Sequence, residues 1–452
     1  MTTSVVEAPA AKIGVRTASR ATIAEVLLVL VLAATAIVVL YQQAQRQSFS
    51  VDESRWIATS RYFWITFVDR DVLGPAWQPN YIVLTHPPVA RYIIGAGLAL
   101  QGWSPDDLNG RYDTDRSRDF NRRAGNIPSR ELLNDARNVV LLFAVVATLL
   151  LYPIGRSVGG ALGWGLAGPL SGVTAVVLAL AHPLLATVWT RALAESVLAF
   201  FCLLAIWFAI HLARASGGSR TRFGWALGLG LSVGLATATK LSGSLVAAGL
   251  VLYVAARQAL RLWQERRLVG LGPWIDAGLA AVLFFVVVNP LLYPNPAWRS
   301  VLLFEHRRDE MEQQALGTPR LAIPNDVTVR AAMMYRRTFL DWGTFEARFG
   351  LPLDAPLAAI GLGVVAFVTW RAIRRRESLG PPTLLLCWTA AVYVVSTVNF
   401  GFDSSHYVAP LATVAVLLQA VALAALVTLA VRLVRRPSRT AARDLSDAPT
   451  AA

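Results

Sequence analysis

Apolar residues along this chain fall into runs long enough, at roughly 17 to 25 residues, to cross a hydrocarbon core as helices. The runs lie at about 22–41, 138–154, 163–181, 194–213, 223–239, 243–260, 273–291, 355–371, 382–398 and 408–432. Only a polar Thr239-Lys240-Leu241-Ser242 hinge divides the fifth from the sixth. The pattern predicts an all-α polytopic membrane protein of about ten transmembrane helices. The first run reads as a retained anchor rather than a cleaved leader, because it is long and no small-x-small cleavage site precedes Tyr41.

Polar positions set the topology. With the N-terminus inside, the cytoplasmic segments hold Lys12, Arg16 and Arg20, then Arg156, then Arg214, Arg220 and Arg222. Next come Arg261, Arg266 and Arg267, then Arg371, Arg374, Arg375 and Arg376, and finally Arg432, Arg435, Arg436 and Arg439. Few acids accompany them, and the short outer segments near 182–193, 240 and 399–407 carry less positive charge. This is the positive-inside distribution. A cytoplasmic tail over 1–21, a transmembrane domain over 22–432 and a disordered cytoplasmic tail over 433–452 follow from it. Two long segments, 42–137 and 292–354, fall outside the membrane on the extracytoplasmic side. Segments of that length are usually functional rather than connecting. Within the first, Tyr92 to Trp103 is apolar but too short to span, and reads as a short interfacial helix. No internal repeat of the kind that marks inverted-repeat transporters is visible.

Composition agrees. Of 452 residues 55% are hydrophobic and 15% charged, against roughly 25% charged in soluble domains. The net charge of +14 does not point to nucleic acid, because the basic residues sit in short clusters between apolar runs. Lysine occurs only at 12 and 240. Cys202 and Cys387 both lie inside apolar runs and build neither a disulfide framework nor a metal site.

Five short motifs can carry chemistry, and all fall on the outer side. Ser50-Val51-Asp52-Glu53 follows the first run. Ser50 with Glu53 fits a helix capping box, which would leave Asp52 free; a carboxylate there is favoured in its ionised form and can take a proton from a hydroxyl. In Thr85-His86-Pro87-Pro88-Val89-Ala90-Arg91 the prolines place His86 at a bend before a helix. Arg191 and Glu195, four apart at the start of the fourth run, would share a helix face, as an ion pair or as a functional pair. Lys240 is a compact cation at a helix junction, either a snorkelling anchor or a phosphate ligand. His406, in Phe402-Asp403-Ser404-Ser405-His406-Tyr407, is either an interfacial polar residue or a donor to a phosphate or hydroxyl, and Tyr407 beside it can be an aromatic anchor.

Together these residues resemble the GT-C superfamily of membrane glycosyltransferases, in particular the dolichyl-phosphate-mannose–protein mannosyltransferases and the lipid A aminoarabinose transferases. Asp52-Glu53 matches the acidic pair of the first external loop, and His86-Pro87-Pro88 its later His-Pro-Pro segment. Arg191, Glu195, Phe200 and Phe201 match an Arg…Glu helix start before a Phe-rich span. Gly234-Leu235-Ala236 with Lys240, and Tyr407 with Pro410, match later junctions, although Ser405-His406 stands where an Arg is common. The resemblance implies inverting transfer of a hexosyl or pentosyl group from a polyprenyl-phosphate donor to a protein, lipid or glycan acceptor. Asp52 and Glu53 would be the catalytic pair, with Asp52 as general base. Lys240, Arg191 and His406 would hold the donor phosphate. His86, Arg91, Glu195 and Tyr407 would contact substrate. It implies no cofactor and no obligatory metal, although the acidic loop leaves room for a divalent ion. The competing expectation, a transporter or lipid flippase, requires charges buried in mid-span and broken helices in paired positions.

Overall fold

The computed structural model describes residues 20–215, 218–268, 270–399 and 401–434. The two tails expected from sequence, including Lys12 and Arg16, lie outside the described residues apart from a few positions at their inner edges. Among the described residues the chain is helical, and its one β feature is an isolated bridge between Ala322 and Phe402.

The first apolar run becomes α1 (Arg20–Arg46). The outer segment behind it folds into α2 (Val51–Thr59), α3 (Tyr81–Thr85), α4 (Val89–Leu100) and α5 (Arg118–Arg123). The bundle continues through α6 (Arg130–Gly160), α7 (Ala167–Ala181), the short α8 (Pro183–Val188), α9 (Glu195–Arg214), α10 (Ser219–Thr239), α11 (Ser244–Glu265) and α12 (Gly272–Val287). A second outer segment carries α13 (Pro296–Gly317), α14 (Val327–Arg336) and α15 (Thr344–Phe349). Three long helices close the chain: α16 (Asp354–Arg374), α17 (Pro381–Asn399) and α18 (Ser405–Val434).

Each of the ten apolar runs is a helix. Seven of these are long and apolar enough to cross a membrane: α1, α6, α9, α11 with the turn before it, α16, α17 and α18. The expectation of ten spans exceeds that number. Helices α7 and α12 have 15 and 16 residues, short of the usual span, and α10 opens on the polar stretch Ser219-Arg220-Thr221-Arg222. Helix α6 also starts earlier than its apolar run, at Arg130, capped by the Ser129 hydroxyl that accepts from the Leu132 N–H. The first turns of α6 are polar, so hydrophobicity alone placed its start too late.

The chain is a multi-pass membrane protein, and lipid tails are as apolar as leucine. Association of its helices therefore relies on close packing through small residues. The α6–α7 contact shows this. A Cβ on Gly159 would stand 2.6 Å from the Ala167 carbonyl oxygen, and one on Gly172 would stand 2.7 Å from that of Tyr152. Helix α18 runs through the centre, with Val408 to Ala422 almost continuously buried against α7, α8 and α16. Helix α1 stays at the edge, where Leu27, Leu30 and Val31 are exposed. The segment read as interfacial, α4, is docked instead: Ile94 and Leu98 are fully buried, and α4 packs on α2 and α6.

Substituting Gly172→Ala should separate α6 from α7 and lower stability by about 1–3 kcal/mol, read as a fall in unfolding temperature of the purified protein. An unchanged midpoint would show that the helices approach less closely.

Candidate active site

The site is built on a buried ion pair. Arg137 in α6 donates from Nε to Oε1 of Glu53 at 2.7 Å and from Nη2 to Oε2 at 2.8 Å. Glu53 is fully buried and Arg137 is 4% exposed. The rest of the guanidinium reaches the carbonyls of Ala44, Gln47 and Ser48 at 3.1–3.2 Å. The Glu53 carboxylate also accepts from the Ser50 N–H at 2.9 Å and the Ala192 N–H at 3.0 Å. One pair thus ties together the end of α1, the start of α2, α6 and the turn that precedes α9. The capping box expected at Ser50–Glu53 is present. Glu53 was expected beside Asp52 as a catalytic acid; its oxygens are committed to this anchor, so the geometry makes it a positioning residue.

Asp52, next along α2, points elsewhere. Its Oδ2 lies 3.5 Å from His406 Nε2 and its Oδ1 lies 3.9 Å from Arg55 Nη1. His406, at the start of α18, has Nδ1 3.3 Å from Glu195 Oε1. The same Glu195 oxygen accepts from Lys240 Nζ at 2.8 Å. Asp52, His406, Glu195 and Lys240 therefore form a row of alternating acid and base across α2, α18, α9 and the C-terminal end of α10. Burial alone would raise the Asp52 pKa, but the His406 imidazole and then Arg55 outweigh it and hold the carboxyl below its ordinary value.

Two recesses lie near this row, the first connected to it through Arg55, the neighbour of Asp52, and the second lined by its His406 and Glu195. One is a polar cavity of about 480 Å³ lined by Arg55, Thr59, Tyr81, His86, Arg111 and Asp113 among others. The other is an apolar crevice between α9, α11, α17 and α18, with Leu198, Leu203, Leu245, Val246, Trp388 and Val392 on its walls and Glu195 and His406 at its polar end.

The other expected residues divide. Tyr407 stands by the row, its ring flanked by Lys240 Nζ at 5.6 Å and the Arg307 guanidinium at 5.5 Å. His86 lines the cavity and packs edge-on against Trp56 at 5.0 Å. Burial first, then the charges of Arg91 and Arg307, push its pKa well below the usual histidine value, so it is neutral. Arg91 does not reach the cavity as a substrate ligand. It is fully buried, donates to the carbonyls of Ile82 and His86, and lies over the Tyr62 ring at 5.0 Å. Its task is to hold the His-Pro-Pro bend, and burial draws its pKa down to about 10. Arg191 and Glu195 do not share a helix face, because α9 begins only at Glu195 and residues 189–194 form bends. The Arg191 Nε is buried without a hydrogen-bond partner.

Sequence reasoning passed over α13. Arg307 pairs with Glu310 and with the Tyr407 hydroxyl, and Tyr81 donates to Glu310 at 3.0 Å. These residues join the cavity wall to the cationic end of the row. The signal available was weak: Arg307 and Glu310 sit one helical turn apart in a helix whose many charges look like a solvated face. Among the described residues no group of three or more His, Cys, Asp or Glu could hold a metal ion.

Residues 77–298 match the family model of the dolichyl-phosphate-mannose–protein mannosyltransferases, a stretch holding His86, Arg91, Arg191, Glu195 and Lys240. Among solved structures, ArnT from Cupriavidus metallidurans bound to undecaprenyl phosphate superposes with a TM-score of 0.52 at 20% identity, over 88% of this chain and 60% of that one. This chain has the fold of the GT-C glycosyltransferases. The archaeal oligosaccharyltransferase AglB from Archaeoglobus fulgidus, in complex with an inhibitory peptide and a dolichol-phosphate, shares that GT-C architecture at a TM-score of 0.54 and 13% identity, covering 95% of this chain and 52% of its own. The chain thus spans 60% or less of the length of these GT-C neighbours. No curated protein sequence matches it.

Replacing Arg137 with Met should leave the Glu53 charge buried and unpaired and cost about 3–5 kcal/mol; Asp52→Asn, at a partly exposed position, should cost far less. Comparing the two unfolding midpoints checks this, and equal losses would contradict the anchor.

Proposed function

We propose that this protein transfers a sugar from a polyprenyl-phosphate donor to a hydroxyl of an acceptor, on the extracytoplasmic face and with inversion. The observation that carries the reading is the row from Asp52 to Lys240: Asp52 adjoins Arg55 on the wall of a polar cavity, and His406 and Glu195, the latter bonded to Lys240, line the polar end of an apolar crevice. A lipid-linked sugar needs both: a groove for its tail and a cation where its phosphate sits. The acceptor hydroxyl enters from the cavity. Its oxygen attacks the anomeric carbon from the face opposite the phosphate, and its proton passes to Asp52. The bond between that carbon and the phosphate oxygen breaks, and the phosphate leaves with the lipid. Lys240, together with Arg191, whose Nε is buried without a partner, stabilises the charge that develops on the leaving oxygen. Glu195 orients Lys240 and His406, and His406 steadies Asp52 in its ionised form. His86, being neutral, can donate a hydrogen bond to the acceptor or the sugar from the cavity wall.

Location supports the same reading. The positive-inside count supports an outward position for this end of the bundle, and polyprenyl-phosphate sugars are donors suited to that side because nucleotide sugars are made in the cytoplasm. The fold and the family model agree with sugar transfer from a lipid phosphate. Transport is less well supported: the charged row lies at helix ends, not in mid-span.

In reconstituted membranes Asp52→Asn should lower sugar transfer by about 10² to 10⁴ while leaving undecaprenyl phosphate bound. Lys240→Gln should weaken that binding. Transfer by Asp52→Asn at the wild-type rate would remove Asp52 as the base.

The acid side of the pH profile offers a separate check. Because the folded pKa of Asp52 lies below 3.8, its ionised form favours folding at every pH above that value, and this contribution is lost as pH falls through the folded pKa. Transfer should therefore show no loss assignable to Asp52 between about pH 7 and about pH 5. A carboxylate limb with its midpoint near pH 5 would place Asp52 above its ordinary range.

A further inference from the structure

The polar cavity has more positive charge than the transfer of a sugar requires. Its floor is α2 and one wall is the segment around Arg111. That wall is fixed in place by Ser54, which is fully buried: its hydroxyl reaches the Gly110 and Asn126 carbonyls at 3.2 and 2.6 Å and accepts from the Tyr112 N–H at 3.1 Å. Asn109 closes the same knot, donating to the Ser54 hydroxyl at 3.0 Å. The wall is therefore anchored to the two-turn helix that also presents Asp52.

Two guanidiniums face this space. Arg111 is exposed and, among the described residues, makes neither an ion pair nor a side-chain hydrogen bond. Arg55 has one partner, Asp52, at the long distance of 3.9 Å. Against them stands a single lining acid, Asp113, one oxygen of which already accepts from the Asp115 N–H at 2.9 Å. An unpartnered guanidinium fork on a fixed wall, facing a second one held only by a long ion pair, suits an oxyanion, which a guanidinium grips through two parallel hydrogen bonds. The phosphate of the lipid donor does not explain them, because its cation, Lys240, lies at the other end of the row.

We propose that the acceptor carries an anionic group, a phosphate or a carboxylate, close to the hydroxyl that receives the sugar, and that Arg55 and Arg111 hold that group. This rests on the assignment of the cavity as the acceptor site. Arg55 is one helical turn from Asp52, so an anion held there sets a hydroxyl of the same small molecule next to the base. Arg55 also stands between the two negative charges and offsets their repulsion. A neutral alcohol would gain none of this and would leave both arginines to solvent.

The test uses the full-length protein in nanodiscs, with glucose 6-phosphate and glucose as matched probes for the cavity and undecaprenyl phosphate as the probe for the crevice. Glucose 6-phosphate should bind at least about tenfold tighter than glucose, and its affinity should fall as salt rises. Arg111→Gln should erase most of that preference, Arg111→Lys should keep part of it, and neither should alter the affinity for glucose or for undecaprenyl phosphate. Arg111 is exposed, so these variants should melt with the wild type. Saturating undecaprenyl phosphate should not displace the sugar phosphate. Equal affinity for the two sugars overturns the proposal. So does a preference that survives combined Arg55→Gln and Arg111→Gln substitution, or displacement by undecaprenyl phosphate, which would put the sugar phosphate in the donor site. The parent reading fails separately, if Lys240→Gln leaves undecaprenyl phosphate binding intact.

Discussion

The Glu53–Arg137 pair is the contact on which the arrangement of this site depends. A charge removed from water is costly unless it is paired and its remaining hydrogen-bonding capacity is filled. Here both conditions are met, by backbone groups at the end of α1 and in the turn before α9. Glu53, Arg137 and Ala192 are far apart in sequence, and the helices that carry them have little hydrophobic reason to choose one another within lipid. The pair supplies that choice. It fixes how α2 sits on α6 and on the turn before α9, and Asp52 inherits its direction from the fixing of its neighbour.

The second organising feature is the sharing of partners. Glu195 serves two bases, and His406 lies between two acids. Glu195 and His406 each have two partners within the row, so each constrains the next. Tyr407 extends the same logic outward by lying between Lys240 and Arg307. Arg307 and Glu310 then connect α13 to Tyr81 on the cavity wall. The outer segments are therefore structural parts of the site, whereas the apolar helices below supply the frame and the crevice.

Much of the architecture was legible because bilayer thickness imposes a length on apolar runs. Every such run is a helix. What hydropathy could not register was helix outside the apolar stretch, as in the polar first turns of α6 around Arg137, or runs cut short by turns, as in α7. At the site, Asp52, Glu195, Lys240 and His406 stood out as isolated charges beside long apolar runs, and they do converge. Glu53 could be read as cap or as acid, and only its distance to Arg137, 84 positions away, separates the two. Arg91 looked like any cation in a loop until its burial was known. Arg307 was hidden by its charged surroundings, since no local pattern announces a partner 100 residues later.

Helix α6 has 31 residues, so at 1.5 Å per residue it is roughly 46 Å long, against roughly 30 Å for the oily interior of a bilayer. The surplus has to emerge somewhere. Arg137 lies about two turns from its beginning, and in the orientation proposed above that end is the protruding one. On the proposed function the helix would work as a mast that raises the candidate site to the level of the lipid headgroups. A carrier lipid would keep its phosphate at the depth where phosphates ordinarily reside while its sugar was removed, and it would be spared the cost of pulling a charge down into oil.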